Sequence, residues 1–233
     1  MNKPLIGIPA KQRNPRDNDP WHYLEMADDM RYQVVKKGGL AIMLLPSEKT
    51  LEFNQNDFGD DKILSEEEIA DLRRQVDLCD GIIMQGGLYS CSYEVEIARY
   101  ALEKDLPMIG ICAGFNNILR ALGINVREDK SGAHNIFDIN YRHHIKVVKD
   151  SLLYEFTGSG DYEVNSFHTM IADPEVVETV AKINACSDDG LVEAYEVEGK
   201  RFVLGMKWHP ELMDGSPLSE KLFTRFVDEC RKS

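Results

Sequence analysis

The sequence predicts an α/β domain in which helices cover both faces of a mostly parallel sheet. Up to Gly123, short apolar runs alternate with segments of helical periodicity, a pattern typical of parallel strands joined by helical crossovers. Beyond Gly123, short strands separated by turns predict an antiparallel extension of the same sheet. Because 233 residues that are 43% hydrophobic can form one large core, we interpret residues 1–233 as one domain.

The first half of the chain supplies the alternating elements. Short apolar runs predict strands at residues 5–9, 40–45, 81–84 and 107–111. Apolar residues at helical spacing predict helices at residues 23–37, 65–78, 92–104 and 113–122. The second of these helices opens with a capping box of Ser65 and Glu68. The polar stretches 11–20 and 46–62 have no such spacing and are predicted to be loops.

The second half supplies shorter strands and a closing helix. Strands are predicted at residues 136–139, 143–148, 163–165, 179–185, 191–197 and 202–207. Glu198 and Gly199 indicate a hairpin turn between the last two strands. Residues 219–232 place Leu222, Phe223 and Phe226 on one face and predict an amphipathic helix.

A thiol lies between a predicted strand and a predicted helix, in the sequence Gly110-Ile-Cys112-Ala-Gly114. Glycines two residues before and after the cysteine permit the sharp strand-to-helix turn known as a nucleophile elbow. A helix N-terminus lowers the pKa of a thiol, and its free N–H groups can bind an oxyanion. Cys112 is therefore the candidate nucleophile.

The sequence Trp208-His-Pro-Glu211 follows the strand predicted at residues 202–207. Residues two apart in an extended chain project to the same side, and proline excludes a helix, so His209 and Glu211 are predicted to share a face. A thiol, an imidazole and a carboxylate are the nucleophile, base and orienting group of acyl transfer. Cys112, His209 and Glu211 are the predicted catalytic triad.

Gly86 and Gly87 follow the strand predicted at residues 81–84. Active residues of a parallel sheet gather at the carboxyl ends of its strands, and paired glycines allow backbone N–H groups to point into a pocket there. No dinucleotide-binding glycine pattern and no phosphate-binding loop of the Walker type occur, so we predict no cofactor.

Composition excludes several classes of partner. With 27 basic and 40 acidic residues, the net charge of -13 repels nucleic acid and anionic membranes, and no apolar stretch reaches membrane-spanning length. Five widely spaced cysteines without a C-x-x-C pair favour reduced thiols and a cytoplasmic location. His143 and His144 are adjacent on a predicted strand and point to opposite faces, so no metal site is predicted.

The motifs around Cys112, Gly86-Gly87 and His209 occur in the order and spacing of class I glutamine amidotransferase-like proteins, which the chain resembles. The segments Val164-Asn-Ser-Phe-His168 and Asp189-Gly-Leu-Val-Glu-Ala194 are most similar to the γ-glutamyl-γ-aminobutyrate hydrolase (peptidase C26) branch. This resemblance implies a flavodoxin-like three-layer αβα fold and cleavage of a γ-glutamyl amide through a thioester.

The resemblance also implies roles for individual residues. Cys112 attacks the γ-carbonyl, His209 shuttles the proton and Glu211 orients the imidazole. Backbone N–H groups at Gly86 or Gly87 and at Ala113 stabilise the oxyanion. The residues implied to line the glutamyl site are Asn116, Asn165, Ser166, Phe167 and His168. Asn116 stands where the family commonly has glutamine, and Ala113 where the hydrolase branch usually has arginine, so the amine half of the substrate is left open.

Three functions remain open at this point. The chain is a free-standing hydrolase of a small γ-glutamyl compound, a glutaminase subunit that passes ammonia to a synthetase, or a non-catalytic binding protein that retains the fold. The loops at residues 11–20 and 46–62 favour the hydrolase, because they could wall a pocket around the leaving amine. The expected partner is a small molecule, and a homodimer is left open.

Overall fold

The protein is represented by a computed structural model that covers residues 2–13, 21–49, 51, 62–87 and 90–231. Its strands are, in chain order, β1 (Leu5–Pro9), β2 (Lys11–Arg13), β3 (Tyr23–Glu25), β4 (Leu40–Leu44), β5 (Gly81–Met84), β6 (Met108–Ile111), β7 (Arg127–Glu128), β8 (His143–Val147), β9 (Asp161–Val164), β10 (Met170–Ile171), β11 (Lys182–Ser187), β12 (Val192–Glu196) and β13 (Val203–Met206).

Seven α-helices alternate with these strands in the described residues. They are α1 (Asp28–Lys36), α2 (Glu66–Val76), α3 (Ser92–Glu103), α4 (Ala113–Ala121), α5 (Leu152–Thr157), α6 (Pro174–Val177) and α7 (Pro217–Cys230). A short 3-10 helix, Pro210–Leu212, precedes α7. In the part of the chain that the structure describes, no helix has the length and apolar character needed to cross a membrane.

Nine strands form one sheet in the order β4-β1-β5-β6-β13-β12-β11-β8-β9. Neighbouring strands are parallel from β4 to β13 and antiparallel from β13 to β9. Strand β13 comes from the second half of the chain but pairs in parallel with β6, with Met206 opposite Ile111. The residues that follow these two strands therefore leave the sheet side by side.

Apolar side chains alternate between the two faces of the sheet and meet a helical layer on each. On β5, Ile83 belongs to the core beneath α1, α5 and α7, whereas Ile82 and Met84 belong to the core beneath α2, α3, α4 and α6. Successive strand residues point to opposite faces, so this alternation is what a sheet covered on both sides requires. The fold is flavodoxin-like α/β.

Several predicted elements are present at or close to their predicted bounds. The strand at residues 81–84 is confirmed, as is the capping box, in which Glu68 N–H donates to Ser65 Oγ at 3.3 Å and Ser65 N–H to Glu68 Oε2 at 2.7 Å. In the predicted loop 46–62, the described residues have no regular structure, and residues 50 and 52–61 lie outside the described part.

The prediction for the region before α1 is wrong at two places. The predicted loop 11–20 begins with β2, which pairs antiparallel with β3, and residues 14–20 lie outside the described residues. The helix predicted from residue 23 begins only at Asp28, because β3 is held extended by this pairing. The Arg13 guanidinium also lies 3.8 Å from the centre of the Tyr23 ring, and Ala27 N–H donates to Gln85 Oε1 at 3.0 Å.

The second half also departs from prediction. Residues 136–139, predicted as a strand, form no regular structure, since Phe137 and Ile139 are exposed rather than packed against a sheet. The strand predicted at residues 179–185 begins only at Lys182, after α6, which was missed together with α5, β7 and β10. Each of these elements is too short to show the repeated helical spacing, or the alternation along a strand, from which an element is predicted.

Gly114, in the first turn of α4, offers a test of how closely that helix approaches β5. A Cβ on this residue would lie 1.9 Å from the Met84 carbonyl oxygen, so Gly114→Ala must displace the helix or the strand. We expect the free energy of unfolding to fall by about 3 kcal/mol or more, measured by urea denaturation. In the control Gly160→Ala the nearest atom is Val147 O at 3.7 Å, and a change below about 1 kcal/mol is expected. Equal unfolding midpoints in the two variants would contradict the close approach.

Candidate active site

Cys112 lies in the turn between β6 and α4 and is 8% exposed. Its backbone has φ of 53° and ψ of -103°, a conformation that costs a non-glycine residue about 1–3 kcal/mol. The turn is held from both sides, because Cys112 N–H donates to the Met206 carbonyl oxygen at 2.8 Å and Gly114 packs against Met84. This is the geometry of the nucleophile elbow that the glycine spacing predicts.

His209 and Glu211 follow β13, and His209 Nδ1 lies 2.6 Å from Glu211 Oε1. The predicted pairing is present, but the extended backbone predicted for it is wrong. Pro210 is the first residue of the 3-10 helix. A backbone N–H at this position has no partner within the helix, so the lack of one in proline costs no hydrogen bond. The turn, rather than an extended chain, brings the carboxylate under the imidazole.

Asn165, directly after β9, holds the backbone of His209. Its Oδ1 accepts a hydrogen bond from His209 N–H at 2.8 Å, and its Nδ2 donates to the His209 carbonyl oxygen at 2.9 Å. The neighbouring Phe167 ring meets the His209 ring edge to face, with 5.6 Å between the ring centres. The resemblance assigns both residues to the glutamyl site, and the structure places them against the candidate base.

Charge separation between the thiol and the imidazole is favoured. Burial by itself raises the pKa of Cys112, but the charge of His209, its hydrogen bond to the thiol and the charge of Lys207 outweigh it, so the pKa lies below the ordinary value. Burial likewise opposes protonation of His209, yet the nearby Glu211 carboxylate and Cys112 thiolate raise the His209 pKa well above its usual range. Each group thus favours the charged form of the other.

Lys207 is a site residue that the sequence analysis missed. Its side chain is fully buried, and its Nζ donates to Asn116 Oδ1 at 2.6 Å and to the Met170 carbonyl oxygen at 2.7 Å. Burial lowers the Lys207 pKa to about 8. The available signal was a lysine that ends an otherwise apolar predicted strand, directly before Trp208. Asn116, assigned to substrate by resemblance, is engaged by this lysine.

Two of the three residues predicted to form the oxyanion site, Gly86 and Ala113, lie next to Cys112. A Cβ on Gly86 would lie 2.6 Å from His209 Cε1 and 3.5 Å from Cys112 Cβ, so only glycine fits there. Ala113 is the first residue of α4, where backbone N–H groups have no partner within the helix. Gly87 lies beside the aliphatic part of Lys11, and residues 88–89 lie outside the described part.

Ser166 and His168 are buried and directed at other protein atoms. Ser166 Oγ donates to the His134 carbonyl oxygen at 2.8 Å. His168 Nδ1 lies 3.2 Å from the Met170 carbonyl oxygen, and its Nε2 lies 3.5 Å from Glu193 Oε1. Burial is the main cause that lowers the His168 pKa. A substrate-binding role for these two residues stays a prediction.

Among the residues that the structure describes, one group of side chains could hold a metal ion, although the sequence predicted no metal site. His134, His143 and Glu193 bring one potential ligand atom each to within 4.8 Å of one another. The reasoning that His143 and His144 cannot share an ion is consistent with the structure, because His144 pairs instead with Asp161. The partners of His143 come from distant parts of the chain, which spacing along the sequence could not show.

Known proteins resemble the chain in sequence. The family profile of peptidase C26 matches residues 91–211, just over half of the chain. The chain is 30% identical over 149 residues to the γ-glutamyl-γ-aminobutyrate hydrolase of Escherichia coli K12, a match that spans 58% of either protein. It is 27% identical over 192 residues to the CTP synthase of Chlamydia trachomatis serovar A, spanning 69% of this chain and 35% of the synthase.

Two solved structures extend the likeness in fold. The glutaminase domain of CTPS from Trypanosoma brucei, solved with bound acivicin, superposes with a TM-score of 0.66 at 17% identity, covering 99% of this chain and 95% of the other. A glutamine amidotransferase from Thermotoga maritima superposes with a TM-score of 0.59 at 17% identity, covering 100% of this chain and 98% of the other. At this identity the comparisons support the flavodoxin-like fold described above and carry no information on substrate.

The electrostatics of the site predict which thiol reacts first. We expect iodoacetamide to modify Cys112 before Cys79, because burial raises the Cys79 pKa to about 12 whereas the Cys112 pKa is lowered. Labelling of Cys112 should persist below the pH at which an ordinary thiol ionises. Peptide mapping after timed labelling tests both expectations. The labelling is done between about pH 5 and pH 10, a range that spans the ordinary ionisation of a thiol.

Two variants test which positive charge lowers the Cys112 pKa. His209→Gln removes the principal positive charge, so the pH midpoint of Cys112 labelling should move upward. Lys207→Met keeps the length of the side chain and removes its charge, and a smaller upward movement is expected. An unchanged midpoint in His209→Gln would contradict the coupling.

Proposed function

This chain belongs to the peptidase C26 family, and from that premise we propose that it is a cysteine-dependent hydrolase of the γ-glutamyl amide bond of a small compound. The observation that carries the proposal is the arrangement of three side chains. The Cys112 thiol at the strand-to-helix turn and the His209 ring both lie beside Gly86, and His209 Nδ1 lies 2.6 Å from Glu211 Oε1. These are the nucleophile, base and orienting group that acyl transfer needs.

Acylation begins from the thiolate. The Cys112 Sγ attacks the γ-carbonyl carbon, a C–S bond forms, and the π electrons of the carbonyl move to its oxygen. The resulting oxyanion accepts hydrogen bonds from backbone N–H groups at Ala113 and at Gly86 or Gly87. Protonated His209 then gives its proton to the amine nitrogen as the C–N bond breaks, which leaves a thioester and a free amine.

Deacylation uses the same groups in reverse. Neutral His209 takes a proton from water, the hydroxyl oxygen attacks the thioester carbon, and collapse of the second tetrahedral intermediate releases glutamate and the thiolate. Glu211 accepts the Nδ1 hydrogen of His209 throughout, so Nε2 is the nitrogen that exchanges the proton. Asn165 fixes the backbone of His209 and acts as a positioning residue.

The γ-glutamyl class of substrate is supported by the relative named γ-glutamyl-γ-aminobutyrate hydrolase. For the amine half of the substrate, the only indication comes from the net charge of the chain. A chain with a net charge of -13 disfavours approach of anionic amine derivatives relative to neutral or cationic ones. We therefore propose that amides of neutral or cationic amines are the better substrates.

A second candidate is a glutaminase subunit that delivers ammonia to a synthetase. The observation that favours it is the match to CTP synthase, which spans 69% of this chain, a larger share than the match to the hydrolase. A subunit of this kind would need a partner to reach full activity, whereas a hydrolase acts alone. A non-catalytic binding protein is disfavoured by the presence of all three triad residues, with His209 Nδ1 2.6 Å from Glu211 Oε1.

Substitution of the triad members should separate their roles. Cys112→Ala is expected to lower turnover by a factor on the order of 10⁶, and Glu211→Gln by about 10⁴, because the second variant keeps the nucleophile and the base. Steady-state kinetics measure both, and circular dichroism checks the fold. Cys186→Ala, which removes a thiol outside the triad whose pKa is raised by burial, should retain wild-type activity as the matched control. Near-normal turnover by Cys112→Ala would contradict the mechanism.

The choice between hydrolase and subunit can be made with the purified chain. We expect steady hydrolysis of γ-glutamyl amides without any added protein, and slower hydrolysis when the amine carries a carboxylate. The measurement is release of glutamate from a panel of amides with neutral, cationic and anionic amines, with free glutamine included. Absence of turnover by the chain alone, together with activation by a co-purified synthetase, would overturn the hydrolase and support the glutaminase role.

A further inference from the structure

Three imidazole rings surround one buried carboxylate at some distance along the chain from the catalytic triad. We call His134, His143, His168 and Glu193 the histidine cluster. Glu193, on β12, is 0% exposed. His168 Nε2 lies 3.5 Å and His134 Nδ1 3.6 Å from Glu193 Oε1, while His143 Nε2 lies 3.9 Å from Glu193 Oε2. All of these distances exceed that of an ordinary hydrogen bond.

The facing atoms of the histidine cluster have no hydrogen-bond partner among the residues that the structure describes. They are the two carboxylate oxygens and one nitrogen of each ring, namely Glu193 Oε1, Glu193 Oε2, His134 Nδ1, His143 Nε2 and His168 Nε2. An ionised carboxylate that is removed from water without a partner costs several kcal/mol. A cation or a proton between these atoms would satisfy them.

The outer contacts of the rings determine where their hydrogens lie. His134 Nε2 is 2.9 Å from Asp189 Oδ2, and His168 Nδ1 is 3.2 Å from the Met170 carbonyl oxygen. Both partners can only accept, so each ring donates outward. In the neutral rings the other nitrogen then presents a lone pair to Glu193. Lone pairs that face a carboxylate repel it unless a cation lies between them, and an outward hydrogen bond of this kind is typical of metal-bound histidine.

We propose that the histidine cluster binds one divalent transition-metal ion, with zinc as the ion that fits best. Imidazole nitrogen and carboxylate oxygen are ligands of Zn²⁺, and His134, His143 and Glu193 supply three of them, with one potential ligand atom each within 4.8 Å of one another. Bonds of about 2.0–2.1 Å place tetrahedral ligand atoms roughly 3.4 Å apart. His134 Nδ1 and His143 Nε2 lie 3.6 and 3.9 Å from the Glu193 oxygens, and the three ligand atoms lie within 4.8 Å of one another, so the side chains must move closer together to bind the ion.

The ion would stabilise the segment that positions the candidate base. The His134 carbonyl oxygen accepts hydrogen bonds from Ser166 Oγ at 2.8 Å and from His168 N–H at 3.0 Å. Asn165, the residue before Ser166, holds both backbone groups of His209. Coordination by His134 would thus stabilise residues 165–168 through the hydrogen bonds that the His134 carbonyl oxygen accepts. The site is structural, and it does not depend on which reaction the triad performs.

The test measures metal rather than turnover. The Cys112→Ser chain is used, so that the thiol cannot bind the ion, and it is treated with a chelator and titrated with Zn²⁺ by calorimetry and elemental analysis. We expect one ion per chain, a higher Tm in the presence of Zn²⁺, and visible absorption typical of tetrahedral nitrogen and oxygen ligands when Co²⁺ replaces Zn²⁺.

Matched variants locate the ion. His143→Gln and Glu193→Gln should abolish stoichiometric binding, while Asp189→Asn, which removes only the outer contact of His134, should weaken it about 10–100-fold. His144→Gln is the control, because His144 is the next residue on β8 but is exposed and paired with Asp161.

Two outcomes would overturn the proposal. One is the absence of saturable Zn²⁺ binding by the folded Cys112→Ser chain, which would indicate that protons neutralise Glu193. The other is unchanged binding after His143→Gln and Glu193→Gln are combined. Because each readout is metal content, affinity or Tm, failure of the proposed hydrolase would leave the result intact.

Discussion

The parallel pairing of β6 with β13 is the constraint on which the rest of the site depends. Met206 lies opposite Ile111, and Cys112 N–H donates to the Met206 carbonyl oxygen, so the chain leaves both strands at the same edge of the sheet. Cys112 and the lysine, tryptophan and histidine that follow β13 are thereby adjacent although they are far apart in the sequence. Carboxyl ends of neighbouring parallel strands meet at one edge, which explains why the site forms there.

Burial and charge act together at this edge. His209 and Lys207 are cations near one thiol, and Glu211 and Glu193 are buried carboxylates. A low-dielectric environment strengthens attraction between opposite charges and penalises each charge that has no partner. Within the triad every charged group has a partner, which keeps the Cys112 pKa low despite burial. In the histidine cluster, the Glu193 carboxylate instead faces three imidazole rings at 3.5 to 3.9 Å, each farther away than an ordinary hydrogen bond.

Local features of the sequence predicted the local parts of the structure. The strand at residues 81–84, the capping box at Ser65 and the glycine spacing around Cys112 depend on residues close in the chain, and all three are present. The sequence did not show which strands far apart in the chain pair with each other. It predicted that residues 202–207 belong to an antiparallel extension, whereas β13 also pairs in parallel with β6. The same reason explains why Lys207 and the grouping around Glu193 were missed.

The two hydrogen bonds of Asn165 have a consequence for motion in the site. They bind the N–H and the carbonyl of the same residue, so the φ and ψ angles of His209 are fixed together, and only its two side-chain torsions stay free. Glu211 restrains the second torsion through Nδ1, and the Phe167 ring limits the first. The proposed proton transfer at Nε2 would then require few heavy atoms to move, and its reorganisation energy would be small.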